Sequence, residues 1–106
     1  MPDKKISELI QLYYEIKKIS DDNKIGKNAI SYFQNMNLMI GTYTMLKESL
    51  RPEQFQMMYK KMKVQLYDLI VKIKEEKIDE ILKNNELSDD EINYLLDKKL
   101  EKLKKI

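Results

Sequence analysis

Apolar residues recur every three or four positions through most of this 106-residue chain, and no segment alternates strictly between apolar and polar residues. This spacing places apolar side chains along one side of an α-helix, whereas a half-buried strand needs a period of two. Only two glycines and two prolines interrupt the pattern. The sequence therefore predicts an all-α protein, a small bundle of about four helices that forms one domain over residues 1–106.

The first two predicted helices lie on either side of a short polar turn. The first follows Pro2–Asp3 and ends near Ile19, where the turn-forming sequence SDDNKIG begins. The second begins between Asp22 and Asn28 and ends before Pro52, because the residue that precedes a proline disfavours helical backbone. The predicted buried stripes are Ile6, Leu9, Ile10, Tyr13, Ile16 and Lys17 in the first helix, and Ile25, Ala29, Phe33, Met36, Ile40, Tyr43, Leu46 and Leu50 in the second.

The third predicted helix is long, and the fourth has the clearest start. The third places Pro52 in its first turn and runs to about Lys83. At 1.5 Å per residue it would measure about 45–50 Å, which predicts a kink or a protruding end in a domain of this size. Ser88 and Glu91 form a capping box for the fourth helix, and residues 85–106 are predicted to form a semi-detached C-terminal helical arm. The predicted stripes are Phe55, Met58, Met62, Leu66, Leu69, Ile70, Ile73, Ile78 and Ile81 in the third helix, and Ile92, Leu95, Leu96, Leu100 (or Lys99) and Leu103 in the fourth.

The side chains that most often carry catalysis are missing. The chain has no histidine and no cysteine, which excludes Ser–His and Cys–His catalysis and the usual zinc and haem ligands. Acidic pairs on one helical face, Glu76 with Glu80 and Glu75 with Asp79, are interpreted as a solvated face balanced by nearby lysines. We therefore expect no catalytic residue, metal site, cofactor or small-molecule substrate, and no enzymatic activity.

The charge balance and the absence of long apolar runs limit the cellular locations and the classes of partner that we expect. Twenty basic and 18 acidic residues give a net charge of +2, so no strong field favours nucleic acid or a membrane surface. No apolar run reaches the length of a membrane span, and the N-terminus lacks the pattern of a signal peptide. The absence of cysteine is compatible with the cytosol, and we expect a cytoplasmic protein.

Residues 28–46, NAISYFQNMNLMIGTYTML, carry no charge, although 36% of the chain is charged. A helix covered on several sides by its own neighbours would explain this, and so would a contact between subunits, because interface cores are depleted of charge. Contact with bases is a third explanation, since Asn and Gln can read adenine. Methionines cluster around the turn that follows, which suits either an irregular core or an adaptable binding surface. The candidate interface residues are Asn28, Ser31, Gln34, Asn35, Asn37, Leu38, Gly41, Thr42, Met45, Met57, Met58 and Tyr59.

These features favour a non-catalytic helical protein that acts through protein–protein contact. We expect self-association as a homodimer through the second helix, in a small regulator, inhibitor or immunity protein of the kind that viruses and plasmids encode. The alternative is a nucleic-acid-binding protein that uses lysine patches, whose affinity would be weak and salt-dependent. The candidate nucleic-acid contacts are Lys27, Lys47, Arg51, Lys60, Lys61 and Lys63.

Overall fold

The computed structural model describes residues 2–84 and 90–106, apart from the side chains of Pro2, Ile81 and Asn84. These residues form helices and turns and contain no strand, so the prediction of an all-α bundle is confirmed. The elements are α1 at Pro2–Asp22, a 3-10 turn at Lys27–Ala29, α2 at Ile30–Leu46, α3 at Pro52–Asn84 and α4 at Asp90–Lys105.

The helices α1 and α3 form the centre of the bundle, and α2 and α4 pack on opposite sides of this pair. Lys5 near the start of α1 lies over the ring of Tyr59 near the start of α3, so these two helices are parallel. The start of α2 meets Glu76 late in α3, and Ile106 just after α4 accepts a hydrogen bond from Tyr59. The outer helices therefore run antiparallel to α3, and they make no close contact with each other within the described residues.

The core combines the apolar stripes of all four helices, largely as predicted, although Ile78 and Leu95 of the predicted stripes are exposed. In α1, Leu12 is buried beside the predicted stripe, whereas Lys17 is partly exposed and pairs with Asp21 at 3.1 Å. Lys17 was therefore wrongly included in the stripe, because its ammonium group stays in water while its stem lies along the core edge. The buried apolar residues are Ile6, Leu9, Leu12, Tyr13, Ile16, Ile25, Ala29, Met36, Ile40, Tyr43, Tyr59, Met62, Leu66, Leu69, Ile70, Ile73, Leu96 and Leu103.

The second helix ends earlier than predicted, at Leu46 rather than just before Pro52. Residues 47–49 form a turn in which Ser49 donates hydrogen bonds to the Leu46 carbonyl from both its N–H and its hydroxyl. Ser49 thus satisfies a carbonyl that has no partner within the helix, and the chain leaves the helical path. Leu46, predicted as part of the stripe, is exposed.

The third helix starts at Pro52 as predicted and is continuous over 33 residues. The Gln54 side chain accepts a hydrogen bond from the Arg51 N–H at 2.8 Å, which caps the first turn. At 1.5 Å per residue the helix is about 50 Å long, close to the 51 Å length of the molecule.

The described part of the predicted C-terminal arm, Asp90–Lys105, packs on α1 and α3 rather than apart from them. Leu96 and Leu103 are buried, and Lys99 pairs with Glu15 of α1 at 2.8 Å. A second ion pair, between Lys74 of α3 and Asp97, joins α4 to the central helix. The capping residue predicted at Ser88 and the Ile81 side chain lie outside the described part of the chain.

Glu76 of α3 fixes the start of α2. Its side chain is buried, and its two carboxylate oxygens accept hydrogen bonds from the N–H groups of Lys27 and Asn28 at 2.9 and 3.0 Å. A carboxylate at this point satisfies two donors that a helix start leaves without a partner. The interpretation of Glu76 as part of a solvated acidic face is therefore wrong, because the carboxylate serves the backbone of another segment.

The turn before α2 requires a glycine at position 26. The first helix runs three residues beyond the predicted end, to Asp22. In the turn that follows, Lys24 lies in the left-handed region at a φ of 53°. The Ile25 N–H then bonds back to the Ser20 carbonyl, a pattern typical of helix C-termini. Gly26 follows at a φ of +89°, and a Cβ there would lie 2.6 Å from Ser20 Oγ. No other residue type fits both the backbone angle and this contact.

Candidate interaction surface

The outward side of α2 is exposed over its whole length and carries no charge. Eleven of the 17 residues of the helix are exposed, and we call this set the α2 face. Leu38 and Met45, two large apolar residues within it, are 70% and 83% exposed. The explanation in which neighbouring helices cover this helix on several sides is therefore wrong. The α2 face consists of Ile30, Ser31, Gln34, Asn35, Asn37, Leu38, Gly41, Thr42, Thr44, Met45 and Leu46.

An apolar groove of about 370 Å³ separates the α2 face from α3. Leu38 and Thr42 contribute to one wall, and Met57, which is 60% exposed, contributes to the other. Lys61 is the only charged residue among the described residues that line it. The methionine cluster thus divides between core and surface, since Met36 and Met62 are buried whereas Met45 and Met57 face solvent. The residues that line the groove are Leu38, Met39, Thr42, Leu50, Gln54, Met57, Met58, Lys61 and Met62.

Tyr59 does not belong to this surface, although it was a candidate interface residue. Its side chain is buried, and its hydroxyl donates a hydrogen bond to the Ile106 carbonyl at 2.6 Å. Lys63 approaches the same hydroxyl at 3.3 Å. Tyr59 therefore joins α3 to the end of α4. Its apolar ring is buried in the core, and its polar hydroxyl reaches the backbone at the edge of the core.

Tyr13, a core residue of α1, donates a hydrogen bond to the side chain of Asn37 on the α2 face. The buried Tyr13 hydroxyl lies 2.7 Å from Asn37 Oδ1 and 3.1 Å from the Phe33 carbonyl, and both atoms accept from it. Burial raises the pKa of Tyr13 from 10.0 to about 12, and the charges of Tyr14 and Asp21 act in the same direction. The Tyr13 hydroxyl therefore stays protonated at neutral pH and links α1 to α2.

We expect the stabilising contribution of Tyr13 to decrease as the pH rises from about 10 to about 12. In this range the unfolded chain releases the phenol proton at its ordinary pKa, while the folded protein retains it. The stabilisation is present below pH 10 and is lost as the pH approaches 12. The measurement is the difference in the free energy of unfolding between the wild type and Tyr13→Phe, which should narrow with rising pH.

The candidate nucleic-acid contacts do not form one patch. Lys27 and Lys47 lie at opposite ends of α2, roughly 30 Å apart along the helix. Arg51 pairs with Glu53 at 3.4 Å, and Lys63 lies beside the Tyr59 hydroxyl. Lys60 and Lys61 are consecutive, exposed residues of α3. Binding to nucleic acid remains an untested alternative.

Neither a metal cluster nor a membrane span was found in the part of the chain that the structure describes. No three acidic side chains there come close enough together to hold a metal ion. No described helix has the length and apolar character needed to cross a bilayer.

Sequence reasoning did not identify the outer side of α3 as a surface feature. Val64 is 62% exposed, Tyr67 is also exposed, and both line a second groove of about 250 Å³ on the side of α4. The sequence does contain a pattern that indicates this surface, because Met57, Val64 and Val71 follow one another at intervals of seven residues. Residues with this spacing lie on one side of a helix.

Gly41→Ala is expected to raise the free energy of unfolding by about 0.5–1 kcal/mol, because glycine is unfavourable inside a helix. Nothing lies within 4 Å of a Cβ built at this exposed position, and the φ of Gly41 is not positive. Urea unfolding at low protein concentration measures the change. A loss of stability would show that Gly41 has a packing role within the single chain.

Comparisons of the chain with protein-family models, with curated proteins and with solved structures gave no match.

Proposed function

We propose that this protein is non-catalytic, acts through protein–protein contact and associates with a second copy of itself. The observation that carries the proposal is the α2 face, with eleven exposed residues and no charge in a chain that is 36% charged. Interface cores are depleted of charged side chains because an unpaired charge is costly to bury. A helix whose outer side faces only solvent usually carries charged side chains there.

The apolar residues beside the α2 face support the same proposal. Leu38, Met45 and Met57 are among the most exposed large apolar side chains of the described residues. The groove between α2 and α3 adds an apolar concavity at the same place. Flexible methionines adapt to a partner surface, and exposed apolar patches mark contact sites in soluble proteins. Three further points stay predictions: a role as a regulator, inhibitor or immunity protein, a viral or plasmid origin, and a cytoplasmic location.

Sedimentation velocity of the wild type and of Leu38→Lys tests the proposal. The wild type is expected to sediment as a dimer at high concentration, and Leu38→Lys as a monomer, because the lysine would bury a charge in the contact. Tyr94→Lys replaces an exposed side chain on α4, away from the α2 face, and should leave the dimer intact. Circular dichroism checks that each variant is folded.

The results separate two ways for the proposal to fail. A wild type that remains monomeric at every concentration overturns self-association. A wild-type dimer that Leu38→Lys leaves unchanged overturns the assignment of the contact to the α2 face and its groove.

A further inference from the structure

Four lysines from three helices gather at the end of the bundle where α1 and α3 begin, and we call them the lysine cluster. The ammonium groups of Lys5 on α1 and Lys63 on α3 lie 5.4 and 5.6 Å from the centre of the Tyr59 ring. Lys104 on α4 lines the second groove, of about 250 Å³, together with Lys63. Lys60 lies one helical turn before Lys63 on the same side of α3. The members come from distant parts of the sequence, so the fold creates the cluster.

The lysine cluster has no carboxylate partner within the described residues. None of its four ammonium groups forms an ion pair there. The acidic residues nearest to its members along α1, α3 and α4 are Asp3, Glu8, Asp68 and Glu101. No acidic residue is among the described residues that line the second groove. The positive charges of the cluster therefore face solvent without a nearby counter-charge from this chain.

Other lysines of the bundle do have carboxylate partners. Most of those partnered lysines lie farther along α1 and α3, towards the opposite end of the molecule. Like charges that gather without a counter-charge repel one another, and a bound anion removes this repulsion. The contrast thus indicates that the lysine cluster meets an anion from outside the chain. The lysines that form ion pairs in the described part of the chain are Lys17, Lys18, Lys72, Lys74, Lys77 and Lys99.

An exposed aromatic ring adjoins the lysine cluster. Tyr67 lies one helical turn beyond Lys63 and lines the same groove, and its side chain is 43% exposed. Sites for single-stranded nucleic acid combine these two elements, because cations contact the phosphates and a base stacks on an aromatic ring. Lysine binds phosphate as a point charge, so separate ammonium groups suit phosphates that follow one another along a strand.

We infer that the lysine cluster and Tyr67 bind a short stretch of single-stranded nucleic acid. The four lysines contact successive phosphates, and the Tyr67 ring stacks on a base. Lys60 and Lys63 were candidate nucleic-acid contacts in the sequence, whereas Lys5 and Lys104 were not. The second groove lies on the α4 side of α3, and α2 packs on the opposite side of the central pair. The inference therefore does not rest on the proposed self-association, and a monomer should bind equally well.

The affinity should depend steeply on salt. For single strands, the logarithm of the association constant falls against the logarithm of the salt concentration by about 0.7 for each neutralised phosphate. Contacts of the four lysines with phosphates predict a slope of about −3. Fluorescence anisotropy of a labelled oligothymidylate, measured at several salt concentrations, gives this slope. Absence of binding at low salt overturns the inference.

Paired substitutions test the assignment to the lysine cluster. Lys60→Gln with Lys104→Gln should weaken binding by about tenfold or more at low salt and make the slope shallower by about 1.4. Lys18→Gln with Lys27→Gln is the matched control, because it removes the same charge from exposed positions at the opposite end of the bundle. An equal loss of affinity in both variants overturns the assignment. Circular dichroism checks that each variant is folded.

The role of Tyr67 separates nucleic acid from other polyanions. Tyr67→Ala should weaken oligothymidylate binding by about fivefold or more, whereas Tyr67→Phe, which keeps the ring, should bind as the wild type does. Polyphosphate, which has no bases, should bind the wild type and Tyr67→Ala equally. Unchanged oligothymidylate binding by Tyr67→Ala overturns the choice of nucleic acid as the partner. Binding to phosphatidylserine vesicles without binding to oligothymidylate overturns it as well.

Discussion

Glu76→Ala is expected to lower the free energy of unfolding by about 2–3 kcal/mol, because it leaves two backbone donors at a helix start without an acceptor. The substitution removes both carboxylate oxygens that accept from the Lys27 and Asn28 N–H groups. These hydrogen bonds involve an ionised acceptor, which makes them stronger than bonds between neutral groups. The loss should be greatest at the junction of the 3-10 turn with α2, where hydrogen exchange of the first α2 amides should accelerate.

The control for this prediction is Glu75→Ala, which removes a neighbouring carboxylate from the exposed side of the same helix. It should change stability by less than about 0.5 kcal/mol, as most surface substitutions do. Urea unfolding at a concentration that disfavours association compares the two variants. Equal stability of Glu76→Ala and Glu75→Ala would contradict the assignment of Glu76 as the cap of α2.

Gly26→Ala is expected to destabilise the fold by about 2–4 kcal/mol, from two additive causes. A φ of +89° is unfavourable for any residue with a Cβ, and the new atom would lie 2.6 Å from Ser20 Oγ and 3.1 Å from a Phe33 ring carbon. Ser20 is buried and donates to the Ile25 carbonyl, so its hydroxyl cannot move aside without loss of that bond. Thermal or urea unfolding should show the loss directly.

Two variants separate the backbone cause from the steric one. Gly26→Ala in a Ser20→Ala background should lose less stability than the sum of the single substitutions, because the clash with the hydroxyl is gone. Gly41→Ala is the matched glycine without either constraint, and its effect should have the opposite sign. If Gly26→Ala left the free energy of unfolding unchanged or raised it, the requirement for Gly26 in this turn would be wrong.

The helices and most of the core followed from the spacing of apolar residues, since burial of one stripe per helix is a local property of the sequence. The role of Glu76 did not follow, because its pattern of neighbouring charges is that of a solvated helix surface. Its partners are backbone donors 48 and 49 positions away in the chain. No local rule identifies the one carboxylate of such a face that points inwards.

The candidate interface was only partly predictable. The absence of charge in α2 is visible in the sequence, but whether other helices cover it depends on tertiary packing. Tyr59 shows the converse difficulty, because an amphipathic side chain suits a subunit contact and a buried helix junction equally well. The seven-residue spacing of Met57, Val64 and Val71 was visible in the sequence, but the exposure of Met57 and Val64 depends on how α2 and α4 pack against α3.

Self-association is the central claim, and sedimentation equilibrium of the unmodified protein over a wide range of concentrations tests it most directly. The weight-average mass should rise from that of one chain towards twice that value as the concentration increases. A mass equal to that of a single chain at every concentration would contradict the claim.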